Sequence, residues 1–263
     1  MLKHILTVVL CGAGCLSAQA NAPERKVENN NVIISERDPK VRIELPRSVH
    51  YVGADRWELY GIADCELQAF VEADAQKNVQ RLYWLQFEAY LPSKPKLHHR
   101  YDSPQHATIG GLDFNVDTWT STNDKKAAAG SDVEHIKALI HAKSYKMPAG
   151  MMYVRLVHLL DEQMRKELMF IYGEDLAPTG FTAADLKKGG RAYDQWPAIE
   201  NGLVERATKN LRILPSKASL VAKQGQGVSL LAPRRATEFR MSRTRHEMIV
   251  DHARRLHQCV TDR

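Results

Sequence analysis

One stretch constrains the fold more than any other. Residues 81–91, Arg-Leu-Tyr-Trp-Leu-Gln-Phe-Glu-Ala-Tyr-Leu, alternate with the period of two of a β-strand. Tyr83, Leu85, Phe87, Ala89 and Leu91 form one row, apolar throughout and suited to a core. Leu82, Trp84, Gln86, Glu88 and Tyr90 form the other, which sets an amide and a carboxylate among aromatic rings. A row of that kind is either a solvated sheet face or the floor of a binding cleft, and the period does not distinguish the two.

Similar apolar patterns predict further strands over residues 41–45, 49–52, 57–62, 64–73, 108–118, 151–160 and 166–173, with Gly53-Ala54-Asp55 read as a turn. Ser131 and Glu134 have the spacing of a capping box, and Val133, Ile136, Leu139 and Ile140 give the helix behind it an apolar stripe. Thr182 with Asp185 resembles a second cap, closed off by Gly189-Gly190. Pro197 then opens a helix whose stripe is Ile199, Leu203, Val204, Ala207 and Leu211. This order predicts an α+β fold: an antiparallel sheet of about six or seven strands with helices packed mainly on one face.

The chain ends do not share this character. Residues 1–20 read as a secretory signal peptide, with Lys3 at its positive start, an apolar run over 5–16 and Ala18-Gln19-Ala20 as the cleavage site. The run is too short to span a bilayer, which takes about 20 residues. The expected location is periplasmic or secreted, in a bacterium, with no transmembrane segment in the mature chain. Lipidation at Cys15 is disfavoured because Gly12 stands where that signal has a Leu-like residue. Residues 21–38 read as a polar leader, 39–214 as a single domain and 215–263 as a basic, Arg-rich tail expected to be disordered.

Charge narrows the function classes. The formal net charge is +6, but residues 215–263 hold 10 Lys and Arg against 4 Asp and Glu, while residues 1–214 hold 27 of each sign. The body is therefore not basic, and nucleic acid is not an expected partner. There is no Gly-x-Ser-x-Gly elbow, P-loop, Gly-x-Gly-x-x-Gly or Cys-x-x-Cys, which disfavours the hydrolases, nucleotide users and thiol oxidoreductases that rely on them. Signal cleavage leaves Cys65 and Cys259. Cys65 lies on an apolar alternating row with Leu67 and Ala69 and reads as a buried small hydrophobe, although a bridge to Cys259 would tie the tail to the core.

Two constellations remain. The first joins Trp84, Gln86, Glu88 and Tyr90 to Asp117 and Trp119, and extends across Glu66, Gln68, Phe70 and Glu72 on one side and Asp113 and Asn115 on the other. Flat rings with acids and amides between them suit sugars or cations. The second is the loop with His98, His99 and His106, which carries metal-ligand types, so a divalent metal is the one cofactor the sequence allows for. The tail's His246 and His252 are six apart and miss the zincin spacing. The resulting expectation is an exported, non-catalytic ligand-binding or envelope-associated module, whose partner is a small molecule, a glycan or an envelope protein. The alternative is a hydrolase or metal-dependent enzyme using the acidic and aromatic face or the histidine loop.

Overall fold

The structure, a computed structural model, describes residues 22–124 and 126–215. Residues 1–20, expected to be a signal peptide, Cys259 and the basic tail beyond Pro215 lie outside the described residues. A four-stranded antiparallel sheet is formed by β1 (Lys26–Glu28), β2 (Val32–Ser35), β3 (Val41–Glu44) and, from the far end of the chain, β11 (Arg212–Pro215). A seven-stranded antiparallel sheet takes the intervening strands β4 (His50–Leu59), β5 (Ala63–Ala73), β6 (Val79–Tyr90), β7 (Gln105–Ile109), β8 (Leu112–Thr122), β9 (Gly150–Leu159) and β10 (Lys166–Asp175). Their order across the sheet is β4-β5-β6-β10-β9-β8-β7. The fold is sheet-rich, and α+β describes it only coarsely.

β6 and β10 adjoin at the sheet's middle, where both rows of each strand are largely buried. Tyr83, Leu85 and Phe87 of β6 pack in one core with Ile33 and Ile43 of the small sheet and with Leu203 and Ala207 of helix α2 (Trp196–Lys209). Leu82 and Trp84 face the opposite way, into a second core with Ile136 and Ile140 of helix α1 (Asp132–Ala142). The helices thus lie on opposite faces, where the apolar stripes predicted them to share one. Both stripes are real, but a stripe does not say which face of a sheet covered on both sides it will meet.

Several turns differ from those the sequence predicts, each for a local reason. Residues 26–35, expected within a polar leader, form a hairpin: its three-residue turn, between the paired Glu28 and Val32, takes Asn29 and Asn30 into the left-handed region at φ of 51° and 60°, which asparagine tolerates. Its second strand buries Ile33 completely. The run 108–118 is likewise two strands, β7 and β8, joined at Gly110-Gly111. Gly53 is not a turn but the irregularity within the single strand β4, where the register slips between Tyr51 and Gly53. A Cβ there would stand 3.3 Å from Leu139 of α1, so the glycine admits the helix. Thr182 and Asp185 bond as a cap does, the Thr182 amide donating to Asp185 Oδ2 at 2.8 Å, yet the chain beyond them makes turns rather than a helix.

The other cap forms in a modified way. Ser131 Oγ accepts the Glu134 amide at 3.3 Å, while the Glu134 carboxylate returns to the Gly130 amide at 2.6 Å instead of to Ser131. This fixes the start of α1 and with it Asp132, the first helical residue. Among the described residues no helix is long and apolar enough to cross a membrane.

Candidate functional site

Register decides which side chains share the face of β6 that carries Trp84, Gln86, Glu88 and Tyr90. Glu88 lies opposite Cys65 of β5 on one side and Glu167 of β10 on the other. The row through Trp84 continues across Ile171 and Arg155 to Asp117, and the row through Leu82 continues across Gly173 and Tyr153 to Trp119. All six residues selected from the sequence therefore belong to one face. Glu66, Gln68, Phe70 and Glu72 do not. Glu66 pairs with Phe87, and its row faces the first core, because a register shifted by one residue exchanges the two faces of a strand.

Half of this face is closed. The Trp84 indole donates to Gln86 Oε1 at 3.0 Å, and Gln86 Nε2 donates to Glu88 Oε2 at 3.2 Å. The Cys65 thiol lies 3.5 Å from the same Glu88 oxygen. α1 covers this row and brings Asp132 beside Gln86, with Asp132 Oδ1 buried and unpartnered. Next to it His135 stacks on Trp57 at 4.0 Å and bonds Asp55 at 2.7 Å through Nδ1. Burial raises the pKa of Glu88, and the charge of Asp132 raises it further. Burial also raises Asp132. Cys65 is a free, buried thiol that burial pushes far above its ordinary value, so it is no nucleophile.

Residues 91–104 close the Glu167 side. Tyr101 donates its hydroxyl to Glu167 Oε2 at 2.6 Å, and His99 Nδ1 lies 3.0 Å from the same oxygen. His99 also stacks on Tyr90 at 4.4 Å. Burial, followed by the charge of Glu88, raises the Glu167 pKa, so these adjoining carboxyls both hold protons more tightly than free ones do. His99 is pushed down to about 4, mainly by burial, and is neutral near pH 7. Its Nε2 is buried with no partner.

The three candidate metal ligands are not brought together. His98 turns outward, with Nδ1 3.2 Å from Lys96 O and Nε2 accepting from Arg100 at 2.6 Å. His99 turns inward to Glu167, and His106 is exposed on β7 opposite Asn115. Neighbouring residues of an extended chain point apart. Among the described residues no three His, Cys, Asp or Glu side chains are grouped to hold a metal ion.

The remaining half of the face, over β8 and β9, is open. Trp119 is 36% exposed and stacks on Tyr153 at 5.2 Å. Tyr153 lies across Gly173, where a Cβ would come within 2.8 Å of its ring. One row away, Arg155 donates to Asp117 Oδ2 at 2.7 Å, and its guanidinium sits 5.1 Å from the centre of the Tyr101 ring. An exposed indole on an aromatic backing, beside a fixed acid and guanidinium, can stack a flat apolar surface and bond hydroxyls at its rim.

Sequence reasoning missed Glu167, Tyr101, Arg155 and Tyr153. Glu167 did leave a signal, a carboxylate set directly against the apolar run Leu168 to Tyr172, since acids are rarely buried without a reason. Tyr101 left none, because the loop's path is set by Arg165, whose guanidinium donates to the carbonyls of Tyr90, Leu91, Lys94 and Leu97 at 2.8 to 3.2 Å.

On the sheet's opposite face a cavity of about 250 Å³ opens where the small sheet meets the large one. Its cations are each paired: Arg25 with Glu66 at 2.9 Å, Arg56 with Asp64 at 2.7 Å, Lys166 with Asp38 at 2.6 Å and Arg37 with Glu24 at 3.5 Å. The buried Glu66 also accepts the backbone amides of Glu24 and Arg25 at 2.9 and 2.8 Å. This cluster ties the first strands down. The chain matches no protein-family model, no curated protein and no solved structure, so the sheet face carries the functional argument on its geometry alone.

Proposed function

We propose that this chain is an exported, non-catalytic binding module of a bacterial envelope, and that it holds a glycan on the open half of the seven-stranded sheet's second face. One observation carries the reading: Trp119 is exposed, backed by Tyr153 and next to the Asp117–Arg155 pair. A sugar ring offers an apolar face for stacking and hydroxyls for the carboxylate and guanidinium at its edge. The sequence of residues 1–20 supports export, and with it access to envelope or extracellular glycans. Titrating the protein with glucose-based and N-acetylglucosamine-based oligosaccharides, followed by tryptophan emission and calorimetry, tests the reading. Binding that Trp119→Ala reduces at least tenfold is expected; binding of none of them, or unchanged binding by the variant, ends it.

A second reading, hydrolysis by acid and base, is favoured by one specific observation, the facing carboxyls of Glu88 and Glu167. One protonated and one ionised carboxyl are the groups such a reaction needs. Turnover of glycosides abolished by both Glu88→Gln and Glu167→Gln would replace the binding reading with this one.

A further inference from the structure

The closed half of the face is held shut unevenly. α1 is anchored over Glu88 by the buried Ile136 and Ile140. Residues 91–104 form no strand or helix, and residues 92–97 are exposed throughout. Two side chains, His99 and Tyr101, turn down from this segment onto Glu167, and both meet one oxygen, Oε2. Lifting the segment would hydrate Glu167 while leaving the sheet ladders intact.

We propose that residues 91–104 are a proton-latched cover, closed while Glu88 and Glu167 retain a proton between them and released when both are ionised. The two carboxyls occupy directly opposed positions on adjacent antiparallel strands, where Cα atoms stand about 4.5 to 5.5 Å apart and like charges repel. Other charged and titratable groups around them do not relieve this. Cys65 faces Glu88 from β5, Asp132 adds a third carboxyl from α1, and Tyr90 ends β6 beside His99. From the cover come Tyr101 and a neutral His99; Asp161 and Arg165, in the turn before β10, act on His99 rather than on the pair. Arg155 of β9 is the cation acting on Glu167, and Asp117 of β8 already engages it. When the last proton leaves, the second charge stays buried unless water enters, and lifting the cover, which breaks the Arg165 bonds to Leu91, Lys94 and Leu97 but no strand or helix, admits it. Opening also strips Tyr101 from Arg155, so the closed and open halves of the face become one surface.

The cover is proposed whether or not the face binds a glycan, and its test requires no ligand. Hydrogen exchange on the full chain, corrected for the intrinsic pH dependence of amide exchange, reads the His99 amide, which donates to Met164 O at 2.7 Å inside the closed cover. The Phe170 amide, in the centre of β10, serves as the reference for global opening. Between the ordinary carboxyl range and the pH at which the closed pair loses its shared proton, His99 protection should fall by up to about tenfold per pH unit, one proton being released on opening, and at each pH it should lie below that of Phe170, which reports the larger global opening. Glu88→Gln should flatten the His99 response. Tyr101→Phe, which changes no charge on the pair, should lower His99 protection at every pH and keep the slope. Flat His99 protection in the parent, His99 protection equal to that of Phe170 at every pH, or an undiminished slope in a folded Glu88→Gln protein would each overturn the proposal. If Glu88→Gln does not fold, loss of the slope in Tyr101→Phe would do so.

Discussion

Glu88 of β6 and Glu167 of β10 face one another directly across the middle of the seven-stranded sheet, on the side covered by α1 and by residues 91–104. Facing carboxylates are expected to weaken a sheet. Glu167 is only 3% exposed, so the pair stays compatible with the fold by holding protons.

Stability should therefore fall across neutral pH. Burial, then the charge of Asp132, pushes Glu88 up to about 7, and burial, then the charge of Glu88, pushes Glu167 up to about 8, from an ordinary 4.5. The folded state then binds more protons than the unfolded chain, and stability falls as pH rises from about 4.5 to about 8. His99, lowered from 6.5 to about 4, acts in the opposite sense and partly offsets the fall until the unfolded imidazole has lost its proton, about one pH unit above 6.5. Between pH 6.5 and 8 urea denaturation should show a loss of up to about 1.4 kcal/mol per pH unit for each retained proton. Glu167→Gln should level that part of the curve, and a variant curve as steep as the parent's would refute the assignment.

Gly173→Ala should disturb the open half of the face from beneath. The added Cβ would stand 2.8 Å from Tyr153 Cε1 and 2.9 Å from Met151 Cε. Tyr153 must shift, and Trp119 loses its backing. A stability loss of about 1 to 3 kcal/mol is expected from such overpacking. Near-ultraviolet circular dichroism should report a changed Trp119 environment, and an unaltered spectrum with unaltered stability would count against the packing described.

Ile33→Ala tests whether residues 26–35 belong to the folded unit. Ile33 is fully buried in the core shared by the two sheets, so truncation should cost about 2 to 5 kcal/mol in urea. Deleting residues 22–38 should go further, because it also removes the amides and guanidinium that satisfy Glu66. A deletion variant that unfolded at the parent's urea concentration would show the segment to be dispensable.

Sequence alone determined the strands over 41–45, 64–73, 81–91, 151–160 and 166–173, the apolar stripes of both helices, the cap at Ser131 and the burial of Cys65, because period and capping chemistry are local properties of a few neighbouring residues. It also grouped Trp84, Gln86, Glu88 and Tyr90 correctly, since residues two apart on one strand share a face. Tertiary structure alone decided which strand rows joined them, placing Cys65 and Glu167 beside Glu88 and turning Glu66 away. Pairing across a sheet is settled by register between distant segments, and one residue of slip reverses every side chain. The same holds for the histidine loop, where composition pointed to metal chemistry. Arg165 bonded to four carbonyls gives that loop its path, and the path commits His99 to a carboxyl 68 residues further along the chain.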